Sequence, residues 1–323
     1  MKPSRRHFLR LAAGVAAVPP AAPFAWAQAY PTRPVRIIAG VPPGLAPDIL
    51  ARLTGQWLSE RLSQQFIIDN RPGAGTNIGT ELVVRAAPDG YTLLLANLAN
   101  AVNATLYPDL NFNFIRDTVP VVGICGGAYV MAVNPLLPAK SIPEFVAYAK
   151  ANPGKLNMGS GGNGTPPHVF SELFKTLTGV DFVHVPYRTS YLPDLLSGQL
   201  QLAFVSILAS IEHIRTGKLR ALAVTTVRRS DALPDVPAMT EFVAGYEGNV
   251  WYGIVAPKNS PSEIVEKLSK EAMAVVADPL FDTRLAALGN FPMWMAPAEF
   301  GKLIADETEK WGKIVRAANI KPE

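Results

Sequence analysis

Cysteine and histidine are scarce in this sequence. Cys125 is the only cysteine among 323 residues, so no disulfide can form within the chain. Its apolar neighbours predict a thiol buried in a strand, since a reactive thiol needs a basic partner. His168, His184 and His213 are the only histidines after residue 27. We therefore expect no histidine-rich or cysteine-rich metal site and no cofactor.

The sequence also lacks a true excess of positive charge. Its formal net charge is +4, and the first 27 residues contain four basic and no acidic side chains. Subtracting those four from 30 leaves 26 basic side chains against 26 acidic ones. The composition therefore gives no support for a nucleic-acid partner or an anionic membrane surface.

Long apolar runs are missing as well. The N-terminus reads Ser4-Arg5-Arg6-His7-Phe8-Leu9, followed by a short apolar stretch with three prolines and by Ala25-Trp26-Ala27. The stretch is shorter than the roughly 20 residues that cross a bilayer, which disfavours an uncleaved anchor. The paired arginines and the Ala-x-Ala step predict a twin-arginine signal over residues 1–27, cleaved to give a periplasmic protein.

Apolar runs of strand length alternate with segments of helical period along the rest of the chain. The segment from Asp48 to Leu62, for example, keeps its apolar residues on one helical face. Pro143, Pro261, Pro279 and Pro297 stand where helices are predicted to begin. This alternation predicts an α/β fold with largely parallel sheets. The predicted strands are Val35–Ala39, Phe66–Asp69, Tyr91–Ala96, Val119–Ile124, Val130–Val133, Leu156–Met158, Phe182–Val185, Leu202–Val205, Leu219–Val224 and Tyr252–Val255.

The chain is long for one compact unit, so we expect two domains. No flexible linker divides it, and ordinary strands should therefore cross between the domains. The expected crossings lie near Val121 to Gly127 and near Asn249 to Gly253, where glycines allow the backbone to rotate. We assign residues 28–125 and 252–323 to a discontinuous first domain and residues 126–251 to the second.

The first candidate binding loop joins a predicted strand to a predicted helix between Gly40 and Asp48. Pro42 and Pro43 stiffen this loop, and Gly44 lets the backbone approach a guest. The helix that follows offers unpaired N–H groups with partial positive charge, which suit an anion. The alternative is a rigid turn in which Asp48 serves only as the N-cap.

The second candidate loop runs from Gly159 to His168 and contains four glycines. Its glycines can bring backbone N–H groups together. The G-x-G-x-x-G spacing also occurs in dinucleotide sites, but the next strand has its acidic residue, Asp181, at its start and not at its end. Met158 breaks the hydrolase frame around Ser160, so we expect no enzyme. The side chains that can donate are Ser160, Asn163, Thr165 and His168, the last of which can pair with Ser160 or cap the helix.

Side chains at other strand ends are further candidates. Arg188 can clamp a carboxylate with its forked donors, or it can be a solvated loop arginine. Asn97 and Asn100 follow the strand Tyr91–Ala96. Ser206 follows Leu202–Val205, where its hydroxyl can bind a ligand or cap the next helix.

From about Tyr30 to its end, the chain resembles the Bug or TctC-like family, the substrate-binding receptors of tripartite tricarboxylate transporters. The resemblance implies a type II periplasmic-binding-protein fold whose two lobes close on a central ligand cleft. It further implies a monomer that passes a small mono- or dicarboxylate to the membrane components of a transporter. The segments that carry the resemblance are Tyr30–Pro34, Pro42–Asp48, Asp69–Gly75, Ala87–Leu93, Ala149–Lys155, Gly159–His168, His184–Tyr187, Gly217–Val224 and Trp251–Gly253.

In that family the loops matching Pro42–Asp48 and Ser160–Thr165 bind the carboxylates of the ligand, partly through ordered waters. We therefore expect ligand-binding residues in both loops and at the neighbouring strand ends. They are Pro42, Pro43, Gly44, Leu45, Ala46, Asp48, Asn97, Ser160, Gly161, Gly162, Asn163, Gly164, Thr165, His168, Tyr187, Arg188 and Ser206.

The sequence departs from the family pattern at several contact positions. Leu45 replaces the second glycine of Pro-Gly-Gly, and Pro47 replaces a usual Thr or Ser. Tyr187-Arg188-Thr189 replaces Tyr-Lys-Gly, and Val205 or Ser206 stands where Asp is frequent. Fewer acidic contacts disfavour amino acids and favour an aliphatic or aromatic acid. A sensor for a signalling partner and a periplasmic enzyme are the alternative functions.

Overall fold

The computed structural model describes residues 30–187, 190–277, 279–287 and 289–322. The predicted signal segment and Arg188 lie outside the described residues. The strands are β1 Val35–Ala39, β2 Phe66–Asn70, β3 Thr92–Asn97, β4 Thr118–Gly127, β5 Tyr129–Val133, β6 Asn157–Ser160, β7 Val183–Pro186, β8 Leu202–Ser206, β9 Arg220–Val224, β10 Val250–Pro257 and β11 Asn290–Met295. The helices are α1 Ala46–Leu62, α2 Asn77–Val84, α3 Leu98–Leu106, α4 Phe114–Asp117, α5 Ile142–Ala151, α6 Pro166–Thr178, α7 Leu192–Ser197, α8 Ile207–Arg215, α9 Ser262–Met273, α10 Pro279–Ala287 and α11 Pro297–Ala317, with 3₁₀ turns at Ala74–Thr76, Met239–Glu241 and Ala274–Ala277.

The strands form two sheets with helices packed against them. The six-stranded sheet has the order β11-β4-β10-β3-β1-β2, and the five-stranded sheet has the order β7-β6-β8-β5-β9. The chain leaves the first sheet after Gly127 and enters the second at Tyr129, and it returns between Val224 and Val250. The predicted α/β class is therefore confirmed.

The expectation of largely parallel sheets is wrong. β1 pairs in parallel with β2 and β3, and β6 pairs in parallel with β7 and β8. The strands at the crossings run the other way: β10 is antiparallel to β3 and β4, and β5 is antiparallel to β8 and β9. A strand that enters a sheet directly from the other sheet needs no helical crossover, so it has no reason to be parallel to its neighbours.

Most local predictions are confirmed. All ten predicted strands are present within a few residues, and the helix predicted from Asp48 begins two residues earlier, at Ala46. α5, α9, α10 and α11 begin at or beside the four expected prolines. Cys125 is fully buried in β4, as predicted. In the part of the chain that the structure describes, no helix combines the length and apolarity needed to span a bilayer.

Candidate ligand-binding site

The loop between β1 and α1 is closed by the carboxylate of Asp48. Its Oδ2 accepts a hydrogen bond of 2.8 Å from the backbone N–H of Gly44. Its Oδ1 accepts one of 2.9 Å from Asn70, whose amide also donates to the carbonyl of Val41. The interpretation of Asp48 as the N-cap is wrong, because Leu45 occupies that position and Asp48 reaches back from the first turn of α1.

Asp48 is ionised although it is buried. Its side chain is 2% exposed and forms an ion pair with Arg52, with an N–O distance of 2.9 Å. Burial favours the neutral carboxyl, but hydrogen bonds from Arg52, Gly44 and Asn70 outweigh it and hold the pKa of Asp48 below its usual range. The charge of Asp48 therefore holds the loop in place.

The tip of this loop presents backbone donors to open space. Pro42, Pro43, Gly44 and Leu45 are exposed, and Gly44 has a φ of +86° with nothing within 4 Å of where a Cβ would lie. Among the described residues, the backbone N–H groups of Leu45, Ala46 and Asp48 donate no hydrogen bond. Free donors at a helix N-terminus carry partial positive charge, so the tip suits an anion.

The second loop begins with Ser160, which is fully buried at the end of β6. Ser160 Oγ lies 2.5 Å from His184 Nε2 and accepts a hydrogen bond of 3.1 Å from the N–H of Gly162. Ser160 therefore pairs with His184 and not with His168. His168 has the alternative capping role, since its Nδ1 accepts a hydrogen bond from the N–H of Gly164.

The other side-chain donors of the second loop are used within the protein. Thr165 Oγ1 donates to the carbonyl of Gly162 at 2.7 Å, and the Asn163 amide donates to the carbonyl of Lys321 at 2.9 Å. Gly161 is exposed, and its N–H donates no hydrogen bond within the described ranges. The loop thus offers backbone to a ligand, while its side chains fix the shape of the loop.

His168 and His184 form the support beneath this loop. Their rings stack with a centroid distance of 3.6 Å and an angle of 18°. Burial, together with the neighbouring His184 and Lys175, lowers the pKa of His168 to about 3. His168 is therefore neutral at physiological pH, as its role as an acceptor requires.

Helix α3 links the two loops. Its Asn100 donates to Thr80 and Thr76, and Thr76 lies against Gly40 at the start of the first loop. Near the other end of α3, Leu106 packs so closely on Gly164 of the second loop that a Cβ there would collide with it. Both candidate loops therefore lie next to the same helix.

The strand pairing brings two further candidates together with two tyrosines. Asn97 in β3 lies directly opposite Tyr252 in β10, and Ser206 in β8 lies directly opposite Tyr129 in β5. Residues opposite each other in antiparallel strands share a face of the sheet. Burial and, after it, the neighbouring Tyr129 raise the pKa of Tyr252, so the two phenols lie close enough to interact electrostatically. Asn97 and Ser206 thus lie beside one pair of tyrosines, one from each sheet.

These four residues keep unused polar atoms within the described structure. Asn97 Oδ1 accepts from Ala99 in the cap of α3, but its Nδ2 has no partner. Ser206 occupies the N-cap position of α8 without a side-chain capping bond. Burial raises the pKa of Tyr129 to about 12 and that of Tyr252 well above its ordinary value, so both remain neutral donors. We missed both tyrosines in the sequence, although Tyr129 lies two residues after one predicted crossing and Tyr252 lies inside the other.

Tyr187 is positioned differently from these residues. Its hydroxyl donates a hydrogen bond of 2.6 Å to Asp194, and this bond raises the pKa of Tyr187. Tyr187 therefore orders its own loop.

Within the described ranges, no cluster of three or more His, Cys, Asp or Glu side chains is placed to hold a metal ion. The only serine–histidine pair described above has a fully buried hydroxyl, and the assembled groups are donors that suit anion binding.

Comparison with known proteins identifies the family of this chain. The family model described as "Tripartite tricarboxylate transporter family receptor" matches residues 50–320. The chain is 34% identical to Protein BugT of Bordetella pertussis over 302 residues, covering 91% of this chain and 92% of BugT.

Two solved structures are similar over nearly their whole length. R. palustris Rpa4515 with adipate has a TM-score of 0.82 and 32% identity, and the match covers 91% of this chain and 100% of that one. MatC from Rhodopseudomonas palustris with bound malate has a TM-score of 0.78 and 28% identity, covering 88% and 100%. The predicted two-lobed periplasmic-binding-protein fold is confirmed by these neighbours. The chain therefore belongs to the TctC, or Bug, family of periplasmic solute-binding receptors.

Proposed function

We propose that this receptor captures a small mono- or dicarboxylate between its two sheets and delivers it to the membrane components of a tripartite tricarboxylate transporter. The observation that carries the proposal is the set of unused donors that the two sheets contribute. The six-stranded sheet contributes the N-terminus of α1, Asn97 and Tyr252, and the five-stranded sheet contributes Gly161, Ser206 and Tyr129. Bound adipate and malate in the two similar structures support the ligand class.

In this proposal, each of the two sheets forms the centre of one lobe. We assign residues 28–125 and 252–323 to the first lobe and residues 126–251 to the second. The passage of the chain from β4 to β5 and from β9 to β10 supports these limits. A carboxylate that accepts hydrogen bonds from both lobes binds the closed form better than the open form. It therefore shifts the population toward closure, which the transporter can recognise.

We infer that each candidate residue either contacts the ligand or shapes the loop that does. The backbone of Pro42 to Ala46 and of Gly161 to Gly164 would line the cleft, with Asp48, Ser160, Thr165 and His168 holding those loops. Leu45, which is 52% exposed, would give the first loop an apolar surface. Together with the scarcity of acidic contacts, this surface favours an aliphatic or aromatic acid over an amino acid.

A thermal-shift screen of aliphatic, aromatic and amino acids tests the proposed ligand class. We expect simple carboxylates to raise the melting temperature and amino acids to have no effect. Stabilisation by amino acids alone would contradict the proposed specificity. Isothermal titration of the acid that stabilises the protein most, with Tyr129→Phe, Tyr252→Phe and the control Tyr148→Phe on α5, would then locate the site. Uptake of that acid by cells with and without the gene separates transport from sensing.

We propose that residues 1–27 direct twin-arginine export of a monomer to the periplasm. The paired Arg5 and Arg6 support this route. The double variant Arg5→Lys/Arg6→Lys should leave the precursor in the cytoplasmic fraction, with the wild type cleaved in the periplasmic fraction. Export of the variant at the wild-type level would exclude the twin-arginine route. Sedimentation of the mature protein tests whether it is a monomer.

A further inference from the structure

Thr225 lies at the point where the chain leaves the second sheet. It directly follows β9, whose last residue, Val224, pairs with Val130 in β5. Thr225 is fully buried, and its hydroxyl forms hydrogen bonds with the backbone of Tyr129. Tyr129 is the first residue of β5 and one of the two tyrosines in the candidate site. Thr225 therefore contacts the candidate site through a residue that is expected to bind the ligand.

Hydrogen bonds in both directions join Thr225 to Tyr129. The N–H of Tyr129 donates to Thr225 Oγ1 at 3.1 Å, and Thr225 Oγ1 donates to the carbonyl of Tyr129 at 3.2 Å. The same carbonyl accepts a bond of 2.8 Å from the N–H of Thr225. In a hydrogen-bonded antiparallel pair, two opposite residues normally exchange backbone N–H and carbonyl bonds in both directions. Here the hydroxyl of Thr225 replaces its carbonyl as the acceptor for Tyr129.

The carbonyl of Thr225 has a different partner. It accepts a hydrogen bond of 3.0 Å from the N–H of Gly248, two residues before β10 begins at Val250. Strand β10 contains Tyr252, the tyrosine that the first sheet contributes to the candidate site. Thr225 thus bonds to the segment that enters β5 and to the segment that leads into β10. A serine or threonine can make both contacts at once, because its hydroxyl leaves the carbonyl free for Gly248.

The ring of Tyr129 has little freedom once its backbone is fixed. It packs edge-on against Phe170 of α6, with a centroid distance of 5.4 Å and an angle of 86°. Phe170 is fully buried and contacts Trp311 of α11, which is also fully buried, at a centroid distance of 5.4 Å. A close-packed ring cannot shift without disturbing its neighbours. The direction of the Tyr129 hydroxyl therefore depends on the backbone position that Thr225 sets.

We propose that Thr225 is a positioning residue for ligand binding. Its hydroxyl holds the start of β5 so that the phenol of Tyr129 reaches the carboxylate of the ligand. This inference rests on the proposed function, in which Tyr129 donates to the bound acid. A donor that is held in place before the ligand arrives needs no further ordering when the ligand binds. Loss of the Thr225 hydroxyl should therefore weaken binding although no group that touches the ligand is removed.

Titration calorimetry with the acid that gives the largest thermal shift tests this role. Thr225→Val keeps the shape of the side chain and removes the hydroxyl, so it should weaken the affinity roughly threefold to tenfold, the effect of one hydrogen bond. Thr225→Ser keeps the hydroxyl and should bind nearly as the wild type does. Thr226→Val is the matched control, because this neighbouring buried hydroxyl donates to the carbonyl of Arg228 at 2.6 Å. It should leave the affinity unchanged.

A double-mutant cycle separates positioning from general damage to the fold. If Thr225 acts through the phenol of Tyr129, Thr225→Val should have little effect on affinity in the Tyr129→Phe background, where the donor is already absent. Its full effect should remain in the Tyr252→Phe background. In the ligand-free protein, the amide proton of Tyr129 should exchange with solvent faster in Thr225→Val. It should exchange at the wild-type rate in Thr225→Ser and in Thr226→Val.

Two results would overturn the inference and leave the proposed function standing. They are wild-type affinity in Thr225→Val and an undiminished loss of affinity when Thr225→Val is added to Tyr129→Phe. If no carboxylate binds the wild type, the proposed function fails, and the inference fails with it. If Thr225→Val does not fold, Thr225→Cys decides by the same criteria, since a thiol is a weak donor and a weak acceptor.

Discussion

The N–H of Gly44 donates a 2.8 Å hydrogen bond to the carboxylate of Asp48, four residues further along the chain. This bond, with those from Asn70 and Arg52, turns a buried acid into the support of an anion-binding loop. The negative charge is fully used on the inner side of the loop. The N–H groups on the outer side of the loop remain free to bind an anionic ligand.

Asp48→Asn tests this support. The substitution removes the charge and places an amide donor against the Gly44 N–H and the Asn70 and Arg52 donors. We expect a loss of about 1–3 kcal/mol in the free energy of unfolding, as for buried donors left without an acceptor, measured by urea denaturation. Asp306→Asn, on the exposed surface of α11, is the matched control and should cost under about 1 kcal/mol. Equal effects of the two substitutions would show that Asp48 does not hold the loop.

His168 predicts a pH dependence of stability. Its pKa is lowered from 6.5 to about 3 in the folded protein, so the unfolded chain binds the additional proton between these values. The contribution of neutral, buried His168 to the free energy of unfolding is complete above pH 6.5, and it is lost as the pH falls toward 3. The slope approaches about 1.4 kcal/mol per pH unit in this window. Urea denaturation between pH 7 and 4.5 measures it above the range where most carboxylates titrate.

His168→Gln should flatten that slope. His213→Gln, on a partly exposed position of α8, should keep it. A slope that is the same in wild type and His168→Gln would contradict the assignment of a buried neutral histidine.

Gly164 and Gly179 form a matched pair for testing the contact between the second loop and α3. Both have left-handed φ values, +75° and +67°, but a Cβ meets Leu106 at Gly164 and nothing within 4 Å at Gly179. Gly179→Ala should cost about 1–2 kcal/mol of backbone strain. Gly164→Ala also forces the terminal methyl group of Leu106 to move, so it should destabilise the protein slightly more than Gly179→Ala, shift the loop relative to α3 and weaken ligand binding. Equal unfolding free energies and unchanged affinity would exclude this contact.

Tyr129→Phe and Tyr252→Phe should each weaken binding of the acid found in the thermal-shift screen. Each removes one neutral donor to a carboxylate, which is worth about 1.5–3 kcal/mol, or roughly 10-fold or more in Kd. The melting temperature without ligand should hardly change, because neither hydroxyl has a partner within the described structure. Titration calorimetry measures the affinity, and Tyr148→Phe, on α5, serves as the control. Wild-type affinity in both variants would show that the hydroxyls of Tyr129 and Tyr252 do not contact the ligand.

Sequence reasoning was most successful where structure is local. Apolar runs gave ten of the strands, and the prolines marked where helices begin. β11 was missed because Asn290–Met295 contains Pro292 and does not alternate polar with apolar residues, as an irregular edge strand permits. The antiparallel crossing strands depend on how two sheets are connected, which periodicity does not record.

In the candidate site, too, local features were predicted and features that depend on long-range strand pairing were not. Glycine and proline content predicted both candidate loops, since those residues determine backbone geometry locally. Of the two roles left open for His168, the structure shows the capping role. The pairing of Ser160 with His184 was not predicted, because it depends on the pairing of β6 with β7, 24 residues further along the chain. Tyr129 and Tyr252 resemble ordinary core aromatics until strand pairing places them opposite Ser206 and Asn97.

A crystal structure with the acid that gives the largest thermal shift is the most direct test of binding between the two sheets. We predict that one carboxylate of the acid accepts hydrogen bonds from the N–H groups of Leu45 or Ala46. The same molecule should also contact Gly161, Ser206 or Tyr129 of the other sheet. An acid bound to one sheet alone, or bound away from both loops, would contradict the account.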